Sequence, residues 1–171
     1  MSLSHQQEAS VAVPAQMAPL FDYLDDQARL GRHMQKSSMM MMGGHMDYEF
    51  DAARGRAIGS VITLRGRILG LKLFVEEIIT ERQRPTRKVW ATRGLPRILV
   101  LGAYRMGFEI VPSGEHSKLR VFIDYDLPSP PVWHLLGLIF APIYARWCVT
   151  QMTTDADGHF AETNSSASTR S

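Results

Sequence analysis

The run "MMMMGGHM", Met39 to Met46, sets several thioethers beside the imidazole of His45, and such donors suit a soft ion such as Cu(I). Nothing in the spacing demands a metal. The plainer reading is a flexible apolar loop, because unbranched methionine adapts to irregular partners. The six histidines (His5, His33, His45, His116, His134, His159) form no HExxH or other paired spacing, so no zinc signature is present and no metal or cofactor is expected.

Proton-transfer chemistry would need an acid or base enclosed by apolar walls. The candidates read from strand registers are Tyr104 and Tyr125, with His134 and Tyr144 on a closing segment. Tyrosine in such a wall is more often a hydrogen-bonded core residue than a catalyst. No Ser/His/Asp or Cys/His arrangement can be argued. Cys148, the one cysteine, lies in an apolar helical stretch where a thiol is inert. No catalytic residue is therefore assigned. The stretch "ERQRPTRKVWATRGLPR" concentrates Arg82, Arg84, Arg87, Lys88, Arg93 and Arg97 around a proline turn beside Trp90. It could meet phosphate head groups or RNA, or be a solvated hairpin tip. A net charge of +2 gives no independent reason to expect nucleic acid.

The elements that must position these residues follow from periodicity. Val11 and Val13 alternate as in a strand, and Pro14 ends it. Leu20, Phe21 and Leu24 share a face of a short helix entered through Pro19, and Asp25 or Asp26 could cap a second over Gln27 to Met34. From His45 to Leu127 the segments "HMDYEFDA", "AIGSVITLRG", "LKLFVEEIITERQ", "TRKVWATRG", "LVLGAYRMGFEIVPSG" and "SKLRVFIDYDLP" are separated by Gly, Pro or polar turns at hairpin spacing. Tyr104, Met106, Phe108 and Ile110 share one face of their strand, and Leu119, Val121, Ile123, Tyr125 and Leu127 one face of the next. An antiparallel meander with one apolar face needs a cover.

That cover is "PPVWHLLGLIFAPIYARWCV", residues 130 to 149. Its run free of charged or strongly polar residues reaches only from Leu135 to Ala145, about half of the ~20 residues a membrane span needs. Pro142 and the restriction it places on Ala141 predict a break, giving an apolar segment near Val132 to Phe140 and a longer helix from Pro142 to about His159. In that helix Trp147, Met152 and Ala156 face inward. A segment that is apolar all round needs something on its second face. Leu135, Leu138, Ile139 and Phe140 are expected to form a movable cover beside Met39 to Met42, hinged at Pro142.

With 171 residues, 45% hydrophobic and 21% charged, the chain fits one globular domain with a substantial core. Residues 1–8 read as a flexible lead, 9–161 as the domain and 162–171 as a disordered polar tail. The first ten residues have no basic segment or apolar core, which predicts no secretory leader. With a lone cysteine this predicts a reducing, cytoplasmic setting.

One strand, two short helices, a long antiparallel meander and a C-terminal helix resemble the helix-grip fold of the START-like, or Bet v 1-like (SRPBCC), superfamily. The narrower likeness is to its polyketide cyclase/dehydrase and lipid-transport branch. It rests on "VPAQMAPLFDYLDD", "GRAIGSVITLRGRILGLKLFVEEIITERQRPTRKVWATRG" and "YRMGFEIVPSGEHSKLRVFIDYDL". The resemblance implies an α+β domain in which a curved antiparallel sheet of about seven strands wraps a long C-terminal helix and leaves a cavity. Trp90, Tyr104, Met106, Phe108, Tyr125, His134, Leu138, Tyr144 and Trp147 would wall it. The implied function is non-catalytic binding or carriage of an apolar small molecule such as a lipid, isoprenoid or polyketide-like compound. The alternatives are a cyclase/dehydratase-type enzyme using Tyr104, Tyr125 or His134, and a protein that docks transiently on a membrane surface or ribosome.

Overall fold

The computed structural model describes residues 3–29, 45–68 and 71–168. Seven strands make one sheet: β1 His5–Val13, β2 His45–Phe50, β3 Val61–Ile68, β4 Leu71–Gln83, β5 Arg87–Arg97, β6 Tyr104–Ser113 and β7 His116–Tyr125. The order is β1-β7-β6-β5-β4-β3-β2, antiparallel at every pairing. Each predicted strand segment forms one strand of the meander. β1 begins earlier than expected. Residues 5–8, which composition reads as a loose lead, pair with β7 from His5 opposite Tyr125 onward. Backbone bonds to a neighbouring strand hold this polar sequence without a buried face of its own.

The inner face is set by register. Tyr48 and Phe50 on β2 lie opposite Leu64 and Ile62 on β3, and Leu64 and Ile62 lie opposite Val75 and Glu77 on β4. Ile79 pairs with Trp90 and Trp90 with Met106. Register shifts between Phe74 and Glu76 and between Ile79 and Glu81 bend the sheet as bulges do. The outer face is wet and carries cross-strand pairs such as Arg120–Glu109 and Arg105–Asp124.

Helix α1, Met17–Asp25, buries Leu20, Phe21, Tyr23 and Leu24. Phe21 meets Phe108 edge-on at 5.5 Å. Its C-terminal Asp25 accepts hydrogen bonds from Arg82 (2.8 and 3.2 Å) and pairs with Lys88 Nζ at 2.8 Å. Asp22 holds Arg84 in the same way, at 2.7 and 2.8 Å. The basic turn is therefore largely a clasp. Arg82, Arg84 and Lys88 fasten α1, and Arg87 pairs with Glu81 and Glu109. Helical backbone restarts at 27–29, where Asp26 accepts from the Arg29 N–H at 3.2 Å. The rest of the expected second helix and the Met39 to Met42 loop lie outside the described residues.

Helix α2 runs unbroken from Pro131 to Ser168, with Pro142 inside it. The expected break at Ala141 is absent. Ala141 is fully buried against the sheet, and that packing outweighs the preference of a pre-proline residue for extended backbone. The Leu138 carbonyl, which loses its usual donor to Pro142, belongs to a residue 52% exposed and can bond to water. No separate, hinged segment exists: Leu135, Ile139 and Phe140 are also exposed. By length and composition alone α2 could cross a bilayer, but its seam of Ala141, Ala145, Cys148, Val149, Met152 and Ala156 is buried on the sheet. The helix lies over β1 and β7. Near its start Gly137 is pressed so close that an added Cβ would come within 2.8 Å of Pro128 Cδ and 3.1 Å of the Val100 carbonyl. At its far end Tyr23 Oη donates to Asp155 at 2.8 Å and stacks on His159. The helix also extends through 162–166, where every residue is exposed and hydroxyls of Thr163, Ser165 and Ser166 bond back to carbonyls one turn earlier.

The clasp yields a prediction. Lys88 is fully buried and Asp25 nearly so, and removing one partner leaves an uncompensated charge, a loss of 3–5 kcal/mol in typical cases. Asp25 is sealed but shallow, so Asp25→Ala should cost about 3 kcal/mol in urea unfolding at pH 7. Lys88→Met with Asp25→Leu should recover most of that loss. A loss under about 1 kcal/mol for the single change, as at an exposed pair, would show that the clasp carries no weight.

Candidate functional site

A carboxyl sits at the middle of the inner face. Glu77 occupies the register shared by Leu73, Val75 and Ile79, opposite Ile62 on β3 and Thr92 on β5. It is 7% exposed. Tyr104 Oη donates to its Oε1, and the Trp90 indole lies near enough to favour the charged form. Thr92 in turn braces Tyr104, accepting from its backbone N–H at 3.2 Å. Burial pushes the Glu77 carboxyl up to about 7, against the pull of those two groups and of the more distant Lys88. A protein acid that titrates near neutrality can give or take a proton under working conditions.

Three phenols and a thiol surround it. Tyr104 is raised well above its ordinary value by burial and by the Glu77 charge. Tyr48 is raised by burial and then by Glu77. Cys148 is pushed up to about 12 by burial, so its thiol stays neutral. Tyr144, one helical turn before Cys148, is raised first by that neighbour. Its ring lies 5.9 Å from that of Trp147. Tyr48 and Tyr144 are partly buried. α2 lies over β1 and β7, so the inner faces of β2 to β5 are not covered directly by helix backbone.

The residues expected to wall a cavity separate into groups. Trp90 and Tyr104 converge on Glu77, and Tyr144 and Trp147 face one another on α2. Met106 is buried beside Trp90. Phe108 fills the core under α1, and Tyr125, 1% exposed, stacks on His5 at the sheet edge. His134 and Leu138 are exposed; His134 Nδ1 lies 3.1 Å from the Pro128 carbonyl. Glu77 was not among the residues expected at the site. The signal for it was present, since in "LKLFVEEII" the alternation of Leu73, Val75 and Ile79 forces one of two adjacent glutamates inward.

A concavity of about 730 Å³ lies on the outer face and is lined by Asp47, Arg65, Arg67, Lys72, Phe74 and Arg97 among others. It is open and basic, and none of the shifted groups reaches it. Among the described residues no cluster of His, Cys, Asp or Glu could hold a metal ion.

No family model matches the sequence, and no curated protein does. Solved structures do. TTHA0849 from Thermus thermophilus superimposes with a TM-score of 0.66 at 14% identity, over 93% of this chain and 99% of that one. A point mutant of norcoclaurine synthase from Thalictrum flavum, in complex with a transition-state analogue, gives 0.64 at 12% identity over 96% and 99%. Major latex-like protein 151 from Panax ginseng gives 0.54 at 13% over 93% and 99%. The fold these structures share with this chain is the helix-grip fold, a curved antiparallel sheet with a long C-terminal helix. The likeness carries architecture and no activity. Within the helix-grip frame the chemistry must be argued from Glu77 and its neighbours.

Glu77 makes stability depend on pH. Its carboxyl titrates near 7 when folded and near its ordinary 4.5 when unfolded. Between those values the folded chain holds a proton that the unfolded chain has released. Stability should therefore fall as pH rises from about 4.5 to about 7 and then level, by on the order of 3 kcal/mol. Urea unfolding of wild type and Glu77→Gln across pH 4.5 to 8 checks this. The variant should lose that slope, and a slope that persists would assign it to another group.

Proposed function

We propose that the chain binds an apolar small molecule in a chamber between the sheet and α2. The observation that carries this reading is the pair of tyrosines, Tyr48 and Tyr144, which stay only partly buried where α2 leaves the inner faces of β2 to β5 without helix backbone over them. Their walls are aromatic and apolar with one polar focus, the usual make-up of a small-molecule site. Lipids, isoprenoids and polyketide-like compounds have the bulk and apolar surface to fill such a space. The helix-grip structure solved with a transition-state analogue supports a ligand in this kind of scaffold.

Native mass spectrometry with a neutral fluorescent probe, N-phenyl-1-naphthylamine, should show one molecule bound per chain at micromolar concentration. Tyr144→Ala should weaken that binding on the order of tenfold, the size of one aromatic contact. Absence of binding, or a Tyr144→Ala protein that binds as well as wild type, would count against a chamber at this place.

A second reading, an enzyme of the cyclase/dehydratase kind, is favoured by one observation: Glu77 can act as base or acid near pH 7 where the tyrosines cannot. It would take an α-proton from a bound ketone and return it to the enolate, with Tyr104 donating a hydrogen bond. Exchange of deuterium from solvent into 2-tetralone, followed by NMR, tests for that base. Wild type should exceed Glu77→Gln by at least tenfold, and equal rates would leave the protein a binder.

A further inference from the structure

Three charged side chains are buried among the described residues: Asp25, Glu77 and Lys88. Asp25 and Lys88 neutralise one another, and Lys88 Nζ also donates to the Asp25 carbonyl at 3.0 Å. Glu77 has no cation within ion-pair distance among the described residues. Its hydrogen-bond partner is neutral, the Tyr104 hydroxyl, with the Trp90 indole close by. Both favour the ionised form of the carboxyl group. An ionised, desolvated carboxylate with only neutral partners is costly. Its remaining lone pairs can take a further N–H or O–H donor.

The surroundings select among possible donors. Tyr48, Tyr104 and Tyr144 are close enough to one another and to Glu77 to feel its charge, and aromatic rings attract organic cations. An anionic ligand would be repelled. A neutral one would leave the carboxylate without a counter-charge. We infer that the chamber prefers an apolar or aromatic molecule bearing a protonated amine, with Glu77 as its counter-ion and Tyr48, Tyr104 and Tyr144 as the aromatic surround. The inference rests on the chamber proposed above.

The groups that face Glu77 are Tyr48 from β2, Lys88 and Trp90 from β5, Tyr104 from β6, and Tyr144 and Cys148 from α2; β3 presents only Ile62 and Leu64. The phenols and the thiol are raised and stay neutral between pH 6 and 8. Lys88 is lowered by burial but held by Asp25. Glu77 is the member of this group whose charge changes in that window.

The test compares phenethylamine, protonated throughout, with the neutral 3-phenyl-1-propanol, both displacing N-phenyl-1-naphthylamine. Wild type should bind the amine at least tenfold more tightly than the alcohol at pH 8. The amine should bind about tenfold more tightly at pH 8 than at pH 6, as Glu77 ionises, while the alcohol changes little. Glu77→Gln should keep the dye and lose both the preference and the pH dependence. Equal affinity for amine and alcohol in wild type, or a preference that survives Glu77→Gln, would overturn the inference while leaving the chamber standing. If the dye does not bind at all, the chamber falls and the inference with it. The wild-type comparison needs no variant, so it decides the matter even if Glu77→Gln does not fold.

Discussion

The seam of small side chains on the C-terminal helix determines how this molecule is built. Ala141, Ala145, Cys148, Val149, Met152 and Ala156 bring α2 down onto β1 and β7, and a seam that slender permits close approach at one side of a curved sheet only. The opposite side, formed by β2 to β5, is left without helix backbone directly over it. A row of leucines in place of the alanines would lift the helix and disturb its packing on β1 and β7. The chamber proposed above is thus a by-product of where the helix is allowed to come close.

Two buried polar assemblies are balanced differently. At α1 the carboxylate of Asp25 is met by the opposite charges of Lys88 and Arg82. Burial pushes the Asp25 carboxyl up, but the hydrogen bonds from Arg82 and Lys88 outweigh it and hold the group below the usual range. At the centre of the sheet, Glu77 receives a hydrogen bond from Tyr104 and, among the described residues, no opposite charge within ion-pair distance. The first assembly behaves as a fastening whose chemistry is finished within the fold. The second is unfinished, and unfinished charge in a folded interior is where function is sought.

Much of this was legible in the sequence, and what was missed has identifiable reasons. The six meander strands followed from alternation and turn residues, and the C-terminal cover from its apolar run. Pro142 misled because local backbone preference was weighed without the buried contact of Ala141. The arginine-rich turn read as free positive charge because Asp22 and Asp25, its partners, lie some sixty positions earlier in the chain. Pairing across that separation leaves no local pattern. Glu77 was different: its inward register could be counted from Leu73 and Val75, but two adjacent glutamates look like a solvated face unless the count is carried through. His134 and Leu138 were expected to wall the cavity from the family resemblance, but both are exposed, since an apolar helix of this length has more hydrophobic surface than the sheet can cover.

Gly137 has a consequence for how such a scaffold could diversify. It is the point where the first turns of α2 rest on the chain around Val100 and Pro128, with no room for even one more carbon atom. A larger residue there would have to tip the helix outward about its well-packed middle or push back the chain at Pro128. The size of this single side chain therefore sets the tilt of the first turns of α2, separably from the chemistry at Glu77.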